Sequence, residues 1–183
     1  KLVPFGEYLP FINLKSYFKI SEQSNLFGGG FKKGKGSKLL NLPNGLKFVP
    51  LICYEAIFSN FLKPSVTHAD FILQITNDAW FGKSIGPQQH LAQLRIRAIE
   101  YGLPVIRVAN TGISAIIDSN GKVIEKLSIN KAGYLDSFIP SRKDNTIYGI
   151  FGNLIFLSLV FVTVVIAFLN KKIINRNNIR IEN

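Results

Sequence analysis

The stretch Leu46-Lys47-Phe48-Val49-Pro50-Leu51-Ile52-Cys53-Tyr54-Glu55 decides the fold. Leu46 to Ile52 is a short apolar run with β-branched content, which reads as a buried strand ending at Cys53. Phe71 to Ile75 (FILQI) is a second such strand and stops at Thr76-Asn77-Asp78. Pro87 to Tyr101 reads as a helix. Pro87 suits its first turn, Leu91, Leu94, Ala98 and Tyr101 recur at helical spacing, and Gly102 is placed to end it. Pro104 to Val108 predicts a third strand. Ser114 to Ile117 and Lys122 to Leu127 flank Asp118-Ser119-Asn120-Gly121, a hairpin signal, and Gly133 to Ile139 reads as a last strand. Strands alternating with helical segments, followed by a hairpin, predict an α/β layered domain.

Composition narrows the chemistry. The chain has 183 residues, 47% of them hydrophobic, which suits one domain plus a small extra and excludes a disordered chain. One cysteine excludes an internal disulfide and any multi-cysteine metal site, and the absence of methionine leads us to expect a piece of a longer protein. Lys and Arg number 22 against 11 acidic residues. A Lys-, Ile- and Asn-rich codon bias accounts for that excess as readily as an anionic partner does. The basic residues form no patch interleaved with aromatics, so a nucleic-acid partner is not expected.

Residues 150–169 (IFGNLIFLSLVFVTVVIAFL) carry no charge over twenty positions. At about 1.5 Å per residue such a helix spans about 30 Å, the thickness of a bilayer's hydrocarbon core. Lys171, Lys172, Arg176 and Arg180 follow it, which by the positive-inside rule puts residues 170–183 in the cytoplasm and the preceding domain across the membrane. Arg142 and Lys143 on the other flank weaken that asymmetry. Residues 27–38 (FGGGFKKGKGSK) hold five glycines and four lysines without phosphate-loop spacing. They read as a solvated loop, or as a basic lid that meets headgroups or substrate.

Cys53 at a strand end stands where α/β folds present reactive groups. A nucleophilic thiol also needs a cation or base and donors for an oxyanion, and a lone cysteine is otherwise an inert small hydrophobe. Glu7 lies in Leu2-Val3-Pro4-Phe5-Gly6-Glu7-Tyr8 between two proline-bounded turns. Trp80 and Phe81 read as entrance or as packing residues, Asn77 and Asp78 as a loop held by local hydrogen bonds. Arg95 and Arg97 read as a solvated or ion-paired helix face, and Asn110-Thr111-Gly112 as a turn that needs its glycine. His68 and His90 lack partner ligands, so no metal and no cofactor is expected.

Taken in order, LVPFGEY, ICYE, TNDAWFGKSIGPQQH, the R-x-R-A-I-E helix and NTGISAIIDSNG, with the terminal helix, resemble the nitrilase (carbon–nitrogen hydrolase) superfamily. Within it they are similar to its membrane-bound lipoprotein acyltransferases. The resemblance implies an α-β-β-α sandwich with a Glu-Lys-Cys triad, residues 1–145 being the C-terminal part of the catalytic domain. It implies that Cys53 takes an acyl chain from a membrane phospholipid as a thioester. The chain then passes to the amine of a lipoprotein's N-terminal diacylglyceryl-cysteine, on the periplasmic side of a bacterial inner membrane. Cys53 matches the nucleophile, Glu55 a nearby carboxylate and Glu7 a second supporting glutamate. The N–H of Tyr54 is the implied oxyanion donor. The implied lysine falls two positions before Lys1 and the base glutamate farther upstream, so the chain alone is expected to be inactive. The alternatives are a tethered amidase or nitrilase acting on small amides, and a non-catalytic remnant or one half of a split protein.

Overall fold

The computed structural model describes residue 34 and residues 36–181. Glu7 and most of the 27–38 stretch lie outside them. Six strands form one mixed sheet in sequential order: β1 (Leu40–Asn41), β2 (Lys47–Ile52), β3 (Phe71–Asn77), β4 (Val105–Asn110), β5 (Ser114–Ile117) and β6 (Val123–Leu127). β2, β3 and β4 run parallel; β1, β5 and β6 add antiparallel at the edges. Apart from the strand expected at residues 133–139, the expected strands, the helix and the hairpin are present, within a few residues of their predicted ends.

Alternation along the strands sends Val49 and Leu51 of β2, Ile72 of β3, Val105 of β4 and Ala115 and Ile117 of β5 to one buried face. Two helices cover it: α1 (Ser59–Val66) through Leu62 and Val66, and α2 (Gly86–Tyr101) through Leu91, Leu94, Ala98 and Tyr101. Leu91, Leu94, Ala98 and Tyr101 are the stripe that the helical spacing predicts. Gly102 ends α2 in the left-handed region at φ +63°, where glycine is unstrained. Asp118 closes the β5–β6 hairpin by accepting the N–H groups of Asn120 and Lys122, each at 2.8 Å.

The opposite face is apolar, half-buried toward the amino ends of the parallel strands and open at their carboxyl ends among the described residues. Ile52, Ile75 and Val108 stand side by side in register across the three parallel strands, 67%, 57% and 51% exposed. The layers described are therefore one sheet and the helices on one of its faces.

Two expectations need correction. Residues 133–139 form no strand: β6 pairs only with β5, and Tyr134 and Phe138 are almost fully exposed. Arg142 instead pins the end of this segment by donating to the carbonyls of Thr67 and Ala69. The terminal helix does not begin at residue 150. A short helix α3 (Ile147–Phe151) stops at Gly152, whose φ of +58° breaks the run, and α4 (Leu154–Ile181) starts beyond it. Leu154–Lys171 is long and apolar enough to cross a membrane, and none of it is buried against the domain.

Candidate functional site

Parallel strands deliver their carboxyl ends to one edge of a sheet, the edge where α/β folds bind ligands. Here Cys53 directly follows β2, Asp78 directly follows β3, and Thr111-Gly112 directly follow β4. Cys53 is a free, partly exposed thiol with φ +50°, a left-handed backbone that costs a non-glycine residue about 1–3 kcal/mol. A sharp turn of this kind lifts a nucleophile clear of the strand that carries it. The chain continues as a 3-10 turn, Cys53–Ile57, and the Glu55 carboxylate reaches back to accept the N–H of Ile52 at 2.9 Å. Glu55 thus reaches across Cys53 to hold the last residue of β2.

Behind this turn, between the sheet and α2, lies a polar cluster that sequence reasoning did not find. Gln74 of β3 and Arg107 of β4 are register partners on the buried face, and His90 of α2 lies over them. Gln74 Nε2 donates to the Cys53 carbonyl at 2.9 Å and lies 3.1 Å from His90 Nε2. His90 Nδ1 is 3.0 Å from Asp78 Oδ1, and Arg107 Nη2 is 2.5 Å from Asp78 Oδ2. Arg107 Nη1 donates to Gln74 Oε1, and its Nε to the carbonyl of Ile113 at 3.0 Å.

Burial raises the Asp78 carboxyl, but the His90 hydrogen bond and the Arg107 charge outweigh it and hold the group below its ordinary value. Burial pulls Arg107 down, while Asp78, and less strongly a charge on Cys53, support its protonated form. A guanidinium does not deprotonate in proteins, so the pair is ionised.

Asp78 is therefore more than the local loop holder that the sequence suggested; Asn77 is that holder, its Oδ1 accepting the N–H of Ala79 at 3.1 Å. Gly112 is needed, but for contact and not for its own φ. Thr111 takes the positive φ (+59°), and a Cβ on Gly112 would overlap the Asp78 carboxylate. The predicted helix face divides: Arg97 pairs with Glu100 at 2.9 Å, while Arg95 donates to the Gly121 carbonyl at 2.7 Å.

The rings of Tyr54 and Phe81 flank His90, with centroids 6.1 and 5.8 Å from it. With Ile57, Gln89 and Gln93 they line an open cleft of about 580 Å³ beside the Cys53 turn. Trp80 does not pack inside; it is 86% exposed on the turn after β3. Cys53, Tyr54, Glu55 and Phe81 thus cluster around one strand edge, Trp80 precedes Phe81 on the turn without lining the cleft, and Glu7 lies outside the described residues.

The carbon-nitrogen hydrolase family matches residues 3–142. A protein of Rhizobium rhizogenes named apolipoprotein N-acyltransferase is 49% identical over 150 residues, which is 80% of this chain and 28% of that protein. The protein of that name from Rickettsia bellii is 46% identical over 179 residues, or 95% of this chain and 34% of its own length. The chain thus spans about a third of the length of the curated relatives it matches. A solved amidase from Nesterenkonia sp. aligns over 56% of this chain and 41% of its own, with a TM-score of 0.47 and 18% identity.

Proposed function

We propose, from the premise that this chain belongs to the carbon-nitrogen hydrolase family, that it is the nucleophile-bearing part of a phospholipid-dependent lipoprotein N-acyltransferase. The observation that supports this most is Cys53, a free thiol on a left-handed turn at the carboxyl edge of three parallel strands. The names of the relatives supply the acceptor class.

In this reading the Cys53 thiolate attacks the ester carbonyl of a phospholipid. The new C–S bond forms, the ester C–O bond breaks, and the lysophospholipid oxygen leaves with a proton. The α-amino group of a diacylglyceryl-cysteine then attacks the thioester carbonyl. The C–S bond breaks, the nitrogen loses a proton and the thiolate is restored. The N–H of Tyr54 is the oxyanion donor, and Glu55 keeps the turn in shape. Glu7 is a supporting carboxylate for the lysine that activates the thiol. Trp80 and Phe81 stand at the substrate entrance.

The open Ile52–Ile75–Val108 face suits the second sheet of an α-β-β-α sandwich, because three exposed β-branched side chains in one row are otherwise left in water. Helix α4 holds the site at the surface of the bacterial inner membrane through residues 154–171, the catalytic domain periplasmic and the basic end cytoplasmic. Mass spectrometry of a synthetic diacylglyceryl-cysteine peptide, incubated with phospholipid and the full-length enzyme, tests the reading. A gain of one acyl group on the α-amine supports it; ammonia release from small amides without lipid, and no peptide acylation, refutes it.

A further inference from the structure

The polar cluster behind Cys53 closes into a hydrogen-bonded ring of Gln74, His90, Asp78 and Arg107. A guanidinium can only donate, so the Gln74 group facing Arg107 Nη1 is its oxygen. The Gln74 nitrogen then has one hydrogen for the Cys53 carbonyl and one for His90 Nε2. The ionised Asp78 Oδ1, 3.0 Å from His90 Nδ1, can only accept, so Nδ1 carries the ring proton. In the neutral imidazole Nε2 then accepts from Gln74. It also lies 3.2 Å from the Cys53 carbonyl oxygen, so Gln74 and His90 both border that carbonyl. Asp78 Oδ2 receives Arg107 Nη2 and closes the ring. The remaining amide hydrogen leaves the ring for the backbone of Cys53.

That branch acts on the reacting end of the turn. The peptide joining Cys53 to Tyr54 is planar and trans, so its C=O and N–H point in opposite directions. A carbonyl drawn inward by Gln74 therefore aims the Tyr54 N–H away from the core. A left-handed cysteine has no intrinsic preference to keep that direction, so an anchor is required.

We propose that Gln74 and His90 are positioning residues for the chemistry at Cys53: the ring fixes the Cys53 carbonyl and thereby aims the Tyr54 N–H at the developing oxyanion. This rests on the reading of Cys53 as the nucleophile. Asp78 and Arg107 hold the other two in their hydrogen-bonding states.

The test is Gln74→Glu in the full-length enzyme, an isosteric change that removes the donor to the Cys53 carbonyl. The expected result is a fall in kcat of about 10²-fold, the size of losing one oxyanion donor, with KM within about twofold. Alkylation of Cys53 by iodoacetamide, which builds no oxyanion, keeps its rate. A loss of thermal stability at unchanged kcat per folded molecule overturns the proposal. If Gln74→Glu does not fold, His90→Asn decides: its amide nitrogen replaces Nδ1 against Asp78, but nothing accepts from Gln74. The ring then loses one bond, and kcat falls about tenfold; an unchanged kcat overturns the proposal. Activity retained by Cys53→Ala would instead sink the nucleophile reading itself, so the two failures are distinguishable.

Discussion

Gly112 lies flat against the Asp78 carboxylate, leaving no room for a methyl group between the β4–β5 turn and the buried acid. The turn can close over a charged side chain only because it offers bare backbone there. Gly112→Ala forces the Asp78–Arg107 pair apart or the turn outward, and overpacking of this kind costs about 1–3 kcal/mol. A lower melting temperature of the purified enzyme is the expected result. The comparison is Gly34→Ala, where no atom lies within 4 Å of the added carbon, and its melting temperature stays unchanged.

Asp78→Asn leaves the Arg107 guanidinium buried without its counter-charge, at a cost of about 3–5 kcal/mol. The sign with pH follows from the lowered Asp78 value. The stability it brings is complete above the unfolded carboxyl value of about 3.9 and is lost as pH falls through the lower folded value. Melting curves of native and Asp78→Asn protein should therefore lie far apart at pH 7 and converge below about pH 4. Parallel curves across that range would contradict the assignment of the pair.

Cys53 holds a backbone conformation that glycine adopts freely, so Cys53→Gly should melt higher than Cys53→Ala. Both variants lack the thiol, and the difference measures the strain of the turn alone, about 1 kcal/mol or more. Equal melting temperatures would mean that the turn is not strained.

Leu154–Lys171, inserted as a test segment in a translocon reporter, should span the membrane. Val162→Lys places a charge near its centre and should shift insertion unfavourably by about 2.5–3.5 kcal/mol. Failure of the unaltered segment to insert would remove the membrane anchor from the account.

The strands and α2 were legible because their signals are local: apolar runs that stop at turn residues, a helical stripe of four apolar positions, and glycines placed to end elements. The short helix Ser59–Val66 was not, since Pro64 inside it reads as a breaker. Residues 133–139 looked like a strand because propensity does not say whether an edge is available to pair with. Gly152 is one residue in an apolar run, and only its positive φ reveals a break.

The site divides in the same way. Cys53 and Glu55 were visible through motif order. The ring of Gln74, Asp78, His90 and Arg107 was not, because its members are spread over β3, its turn, α2 and β4 and meet only when the sheet register is set. One signal was available: Gln74 and Arg107 occupy inward positions of strands that otherwise bury aliphatic side chains. Polar groups at such positions require partners.

The central claim is that Cys53 carries the acyl chain. Incubating the full-length enzyme with acyl-labelled phosphatidylethanolamine, without acceptor, tests it directly. The account predicts label on the peptide containing Cys53, released by neutral hydroxylamine as a thioester and lost on adding a diacylglyceryl-cysteine peptide. Acylation of that peptide at the normal rate by Cys53→Ala enzyme, with no label ever held on Cys53, would contradict it.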